Sequence, residues 1–167
     1  MAVPSKLKAF LTNAKVKVAS QRHRVAYTAQ EIAAAQHVSG KQLAKCVLVK
    51  TDKGFALAVL PAVQLIEFGK LKKILKTTTL KIAKEADIKA SFPGIEVGAM
   101  SVFGSYAGVP TVLEKTLTAL KELVCNAGTH TDTIKVKLKD LERVEKPKVG
   151  VFGVSASGPV KRKRKRK

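Results

Sequence analysis

The chain has 167 residues, 46% of them apolar, enough to bury one hydrophobic core and short of the length at which chains usually divide. Lys and Arg number 32 against 12 Asp and Glu, a formal charge of +20, and setting aside the seven basic residues Lys161–Lys167 still leaves +13. Such a surplus favours a polyanionic partner, nucleic acid first and an anionic membrane second, since each phosphate contacted releases counterions, while solubility alone is the other use of the charge; an aromatic content of 5% without Trp limits base stacking.

In chain order, Ser5 is placed to cap a helix whose apolar positions Leu7, Phe10, Leu11 and Ala14 recur at helical spacing. A brief extended stretch at Arg24–Tyr27 precedes a T-x-x-E capping box, Thr28 and Glu31, that opens a helix over Ala29–Gln36 and ends at Ser39-Gly40. Leu43–Lys50, the turn cluster Thr51-Asp52-Lys53-Gly54 and Phe55–Leu60 predict a β-hairpin stopped by Pro61. Helical spacing returns over Glu67–Leu75, with Lys70, Lys72, Lys73 and Lys76 as its basic face, and again around Lys84–Ala90 before Phe92-Pro93-Gly94. The glycine-rich stretch Gly94–Pro110 is a long loop, and loops of that length in a small domain usually carry function. Strand character follows at Thr111–Leu113, Glu122–Asn126 and Thr133–Leu138, then a helical turn over Leu141–Val144. From Gly153 the composition turns to Gly, Ser, Ala and Pro before the basic run, which predicts a disordered tail over 153–167 behind a folded body over 1–152. Interspersed helices and strands with one hairpin predict a single α+β domain with a mixed sheet flanked by helices.

The usual catalytic signatures are missing: no Gly-x-Ser-x-Gly elbow, no phosphate-binding P-loop, no His-Glu-x-x-His and no cysteine beside a histidine. Cys46 and Cys125 have no metal-ligand spacing and read as buried reduced thiols, so neither metal nor cofactor is expected. No stretch is long or apolar enough for a signal or a membrane span, which predicts a cytoplasmic protein without a membrane partner. Three places can hold chemistry. Lys45 interrupts the start of an apolar strand and either presents a charge into a cleft or lies on the strand's solvent face. Gly98-Ala99-Met100-Ser101, with Phe103-Gly104, either lets backbone amides approach a ligand or is an ordinary surface loop. The polar turn Asn126-Ala127-Gly128-Thr129-His130-Thr131 sets a histidine and hydroxyls at a strand end, where a structural role fits equally; His23 and His37 offer less.

Taken in order, these segments resemble the YbaK and prolyl-tRNA-synthetase-associated domain family of aminoacyl-tRNA deacylases. The resemblance runs from Tyr27 to Val144 through the capped helix, Val38–Gly40, Ala44-Lys45 before a hydrophobic strand, Leu57–Ala62, Leu80–Ala83, the Gly98 loop and the Ala127–His130 turn. It implies a single α+β domain with a barrel-like mixed sheet and hydrolysis of amino acids misattached to tRNA, with tRNA for proline a recurrent substrate. It also implies roles. Lys45 would engage the terminal nucleotide near the ester, Gly98 would begin the loop that lines the amino-acid pocket, and His130 would stand beside them as the third catalytic position. Ala99, Met100, Ser101, Gly128 and Thr129 would contact substrate. In related deacylases the loop reads Gly-x-x-x-Pro, whereas Val102 holds the fifth position here, which leaves the amino acid open. The tRNA body would meet surface cations such as Lys70, Lys72, Lys73, Lys161 and Arg162, and an aminoacyl-tRNA synthetase is a candidate partner. Two other readings remain: a non-catalytic tRNA- or ribosome-binding module of the same fold, and a chain whose basic tail is its main feature, as a nuclear-type address or a general tether.

Overall fold

The computed structural model describes residues 4–22, 31 and 41–155. The expected helix over Ala29–Gln36, the extended stretch at Arg24–Tyr27, the Val38–Gly40 turn, His23, His37, Lys161 and Arg162 lie outside the described residues, Glu31 excepted.

Helix α1 (Ser5–Asn13) buries Leu7 and Leu11, four residues apart on one stripe. Its N-cap is Pro4 rather than Ser5, and no side chain caps it; the Pro4 carbonyl instead accepts from the Lys8 amide at 3.0 Å. Strand β1 (Ala19–Arg22) follows. The hairpin pairs β2 (Ala44–Thr51) with β3 (Gly54–Pro61), Ala44 opposite Pro61 and Thr51 opposite Gly54. β4 (Gln64–Ile66) leads into α2 (Phe68–Leu75), whose first turn is capped by the Glu67 carboxylate accepting from the Gly69 amide at 2.8 Å. β5 (Leu80–Ile82), α3 (Glu85–Ser91), a 3-10 turn at Ser105–Ala107, β6 (Thr111–Glu114) and a second 3-10 turn at Lys115–Ala119 come next. β7 (Glu122–Thr129), β8 (Asp132–Lys137), α4 (Leu138–Glu145), β9 (Lys148–Gly150) and β10 (Gly153–Ser155) complete the described chain.

The strands form a mixed five-stranded sheet in the order β5-β2-β3-β6-β9, an antiparallel sheet β1-β8-β7 and the pair β10-β4. β6 runs parallel to both β3 and β9; the other pairs are antiparallel. A parallel bridge between Leu43 and Val124 joins the two larger sheets, but among the described residues no closed barrel results, and the architecture is a single α+β domain with mixed sheets flanked by helices. Alternation along the central strands divides the core. Leu48, Leu57, Val59 and Leu113 face the larger cluster with α1, β7 and β8, while Val49, Ala58, Leu60 and Val112 face a smaller one closed by Leu71 of α2 and Phe152.

Three boundaries differ from the sequence expectation. β7 does not stop at Asn126; it passes through an irregularity in register and reaches Thr129, because Gly128 adopts φ +98° there. α4 begins at Leu138 rather than Leu141, because Leu138 and Leu141 both bury against the core. The tail does not begin at Gly153. Gly153–Ser155 is a strand on β4, held because the buried Glu114 carboxylate accepts from the Phe152 and Gly153 amides, each at 3.0 Å. Burial would raise that carboxyl's pKa, but these bonds and those from Thr116 outweigh it and hold it below the usual range.

Candidate functional site

Lys45 lies one residue into β2 and is half-buried. Burial lowers its pKa from the usual 10.5, and no carboxylate pairs with it among the described residues. Leu43 bridges Val124 in parallel, so two residues further along each chain Lys45 and Asn126 leave their strands on the same face. That face is opposite the larger cluster, which takes Cys46 from β2 and Cys125 from β7. The Asn126 carboxamide in turn donates to the Gly98 carbonyl at 3.5 Å, while its Oδ1 is buried with no donor among the described residues. Asn126 thus connects the Lys45 strand to the glycine loop. It was legible only as the first residue of a polar turn, since nothing in its spacing marks a side chain that crosses to another element.

The loop is tied to the end of β7 by backbone and side-chain bonds. Glu96 donates its amide to the Gly128 carbonyl at 2.8 Å, Gly128 donates to the Ala99 carbonyl at 2.8 Å, and the Glu96 carboxylate accepts from the His130 amide at 2.7 Å. The His130 ring Nε2 lies 3.0 Å from the Val97 carbonyl, and Gly98, at φ +88°, brings its backbone against that ring. His130 thus contacts the loop through both its amide and its ring. Thr129 and Thr131 both donate to the buried Asp132 carboxylate, at 2.7 and 2.9 Å. Burial would raise the Asp132 pKa, but these donors and the charge of Arg22 outweigh it and lower it. On its Cβ side Gly128 is packed against the Pro4 ring, which an added Cβ would approach to 2.7 Å.

Ala99, Met100 and Ser101 bury their side chains, and the Ser101 hydroxyl accepts from the Phe103 amide at 3.2 Å. The backbone amides of Gly98, Met100 and Ser101 have no acceptor among the described residues. Of these residues Gly98 is exposed and open to solvent, whereas Met100 and Ser101 are buried. Val102 at the fifth loop position is fully buried in the larger cluster. Lys70 and Lys73 are exposed and Lys72 is partly covered on α2, opposite the buried Leu71.

The far end of the loop is fastened by Glu145, which sequence reasoning missed because its partners are 34 to 41 residues away. Its carboxylate accepts from the Gly104 amide at 3.0 Å, the Ser105 amide at 3.1 Å, the Ser105 hydroxyl at 2.6 Å and the Thr111 hydroxyl at 2.7 Å. The Tyr106 phenol is pushed up to about 12 by burial first and by the Glu145 charge second. Replacing Glu145 by alanine should cost about 2–3 kcal/mol in denaturant unfolding, because several donors lose one charged acceptor together. In the same variant the phenol's ultraviolet titration should move down toward 10 while burial still holds it above; an unmoved titration would refute the electrostatic part.

Cys46 and Cys125 are free, and burial pushes both thiols up, Cys125 to about 12, so neither supplies a thiolate nucleophile near neutral pH. Among the described residues no three His, Cys, Asp or Glu side chains group as metal ligands, and no helix is long and apolar enough to cross a membrane.

Chemically, a half-buried lysine with no carboxylate partner among the described residues, and a glycine loop linked to its face through Asn126, suit an anionic or carbonyl-bearing ligand. The sequence matches the model of the aminoacyl-tRNA editing domain over residues 23–144, most of the chain, and the protein belongs to that family. No curated protein matches it. Among solved structures, a candidate trans-editing enzyme for prolyl tRNA synthetase superposes with a TM-score of 0.79 at 19% identity, covering 90% of this chain and 96% of its own. A hypothetical protein superposes at 0.80 with 15% identity over 90% of this chain and 100% of its own. A candidate signal transduction protein from Marinobacter aquaeolei superposes at 0.72 with 17% identity over 91% of this chain and 31% of its own. At these identities the likeness concerns the fold.

Proposed function

We propose that this protein is a free-standing deacylase that hydrolyses the ester of mischarged tRNA, with tRNA for proline as the first candidate substrate. The observation that carries the reading is the editing-domain match over 23–144, which includes Lys45, the Gly98 loop and His130. The structural likeness to a candidate trans-editing enzyme for prolyl tRNA synthetase supports the choice of tRNA and a synthetase as a partner.

An aminoacyl ester is already activated, and the neighbouring ribose hydroxyl can help orient water or move its proton. The protein then has to position the acceptor end and stabilise charge on the carbonyl oxygen. In this reading the amides of Gly98, Met100 and Ser101 receive the developing oxyanion, Lys45 holds a phosphate or ribose oxygen of the terminal adenosine, and Asn126 restrains the loop through the Gly98 carbonyl. His130, Gly128 and Thr129 act as positioning residues, a narrower role than contact with substrate. Selection by a small amino-acid pocket at the loop would be the logic of a second sieve. Lys70, Lys72, Lys73 and the basic tail, with Lys161 and Arg162, add affinity for the tRNA body, and the work is done in the cytoplasm.

Asn126 separates function from stability. An unmet buried acceptor costs about 1–3 kcal/mol, so Asn126→Ala should leave the melting temperature unchanged or raised while deacylation falls about tenfold. Equal losses of both would reduce Asn126 to a structural residue. The reading as a whole is tested by incubating the protein with a panel of mischarged tRNAs and following the retained amino acid. At least one species should lose its charge. Binding without loss on every species would select the non-catalytic module instead.

A further inference from the structure

The far end of the central sheet carries a second cationic feature. A groove of about 490 Å³ opens between the β2–β3 turn, the C-terminal ends of α2 and α4, and β9. Lys53, Lys146 and Lys148 line it against one carboxylate, Glu145, whose oxygens are occupied by the Gly104, Ser105 and Thr111 donors. Phe55 forms part of the wall, and outside the groove's lining the Lys50 ammonium lies 5.8 Å from the centroid of its ring. The floor is apolar, with Pro110 and Val112.

Two details separate this groove from a general scatter of surface lysines. The helix ends that meet it, at Lys76 and Lys146, are left-handed, with φ of 54° and 44°, where glycine is the preferred residue. Lysine stands at both. The macrodipole rationalises a cation at each helix end, and Lys53 too because it meets the end of α2, but not Lys148, which arrives from a separate strand. Lys53 also reaches across to donate to the Lys76 carbonyl at 2.7 Å, which draws the hairpin turn and the end of α2 together.

Placement supplies the partner. Lys45 opens β2 and Thr51, at the groove, closes it, so at about 3.3 Å per residue the two lie about 20 Å apart. A nucleic acid whose 3′ end sits at Lys45 can reach the groove with its duplex. We propose that the groove bounded by Lys53, Lys146 and Lys148 seats the sugar-phosphate backbone of the RNA duplex attached to the bound end, with ribose on the apolar floor and phosphates between the ammonium groups. Such contacts read backbone and shape rather than sequence. The inference rests on the deacylase reading for the location of the 3′ end, but the binding it describes does not require hydrolysis.

The test uses the full chain. Lys146→Gln/Lys148→Gln is compared with Lys146→Arg/Lys148→Arg and wild type for binding of an uncharged tRNA transcript across a salt series, and of the trinucleotide CCA. The glutamine pair should weaken tRNA binding about tenfold and reduce the slope of log affinity against log salt by about two, while CCA binding is unchanged and the arginine pair stays near wild type. Unchanged tRNA affinity in the glutamine pair overturns the proposal. So does an equal loss for CCA, which would move the groove into the acceptor-end site. A matching thermal melt for the two pairs excludes misfolding as the cause. Hydrolysis of an aminoacyl-CCA ester, followed in parallel, reports on the deacylase reading by itself, so the two can fail separately.

Discussion

Lys45→Ala should reduce deacylation of a mischarged tRNA by about 100-fold or more, because positioning the terminal nucleotide and stabilising charge at the ester are the two tasks left to the protein. The same substitution should not destabilise the fold. Burial lowers the Lys45 pKa, and no carboxylate compensates for the charge among the described residues. The folded-state value therefore lies below that of the unfolded chain, which binds the proton more tightly. It follows that the ammonium disfavours the native state at neutral pH and that this penalty fades as pH rises through the lowered pKa toward 10.5. A thermal melt of Lys45→Met should match or exceed wild type at neutral pH, and the difference should shrink in alkali. A substrate anion is the partner that would compensate this charge in the bound state. Retained hydrolysis in Lys45→Ala would remove the lysine from the mechanism; a large fall in melting temperature would make it a structural residue.

Gly128→Ala should lose about 3 kcal/mol of stability or more, the largest effect expected of a single methyl group here. Two costs coincide. The backbone sits at φ +98°, a region that disfavours any residue with a Cβ, and that Cβ would lie 2.7 Å from two atoms of the Pro4 ring and 2.8 Å from Ile95. Neither neighbour yields easily, since Pro4 is a rigid ring that starts α1 and Ile95 is buried in the larger cluster. The peptide cannot turn away either, because its amide and carbonyl are bonded to Ala99 and Glu96. Gly98→Ala is the control. There φ is +88°, but the added carbon meets only the His130 ring at 3.6 Å, an ordinary contact, so strain alone of about 1–2 kcal/mol is expected. Urea unfolding of the two variants should rank Gly128 well above Gly98. Equal values would mean that α1 does not pack on the end of β7.

The elements that were legible in the sequence are those whose signal is local. The β2–β3 hairpin is written in two apolar runs around a turn cluster, α2 in its apolar spacing, and α3 by the Pro93-Gly94 stop. The family was legible too, because the order of its segments is a property of the chain. The short strands β4, β5, β9 and β10 were not, since three residues carry no periodicity and are ordered by what they pair with. β10 shows this best: Gly, Val and Ser resemble the start of a tail until the buried Glu114 collects the Phe152 and Gly153 amides from 38 and 39 residues away.

The same division holds at the site. Residue type and order singled out Lys45, the Gly98 loop and His130, because a lysine in an apolar strand and a glycine-rich loop are visible without coordinates. Tertiary structure decided how they relate. The parallel bridge at Leu43 and Val124 brings Asn126 to the face of Lys45, His130 turns its ring to the loop's own backbone, and Glu145 fastens the other end. Each is a contact between residues distant in sequence, fixed by hydrogen bonds whose partners no local pattern specifies.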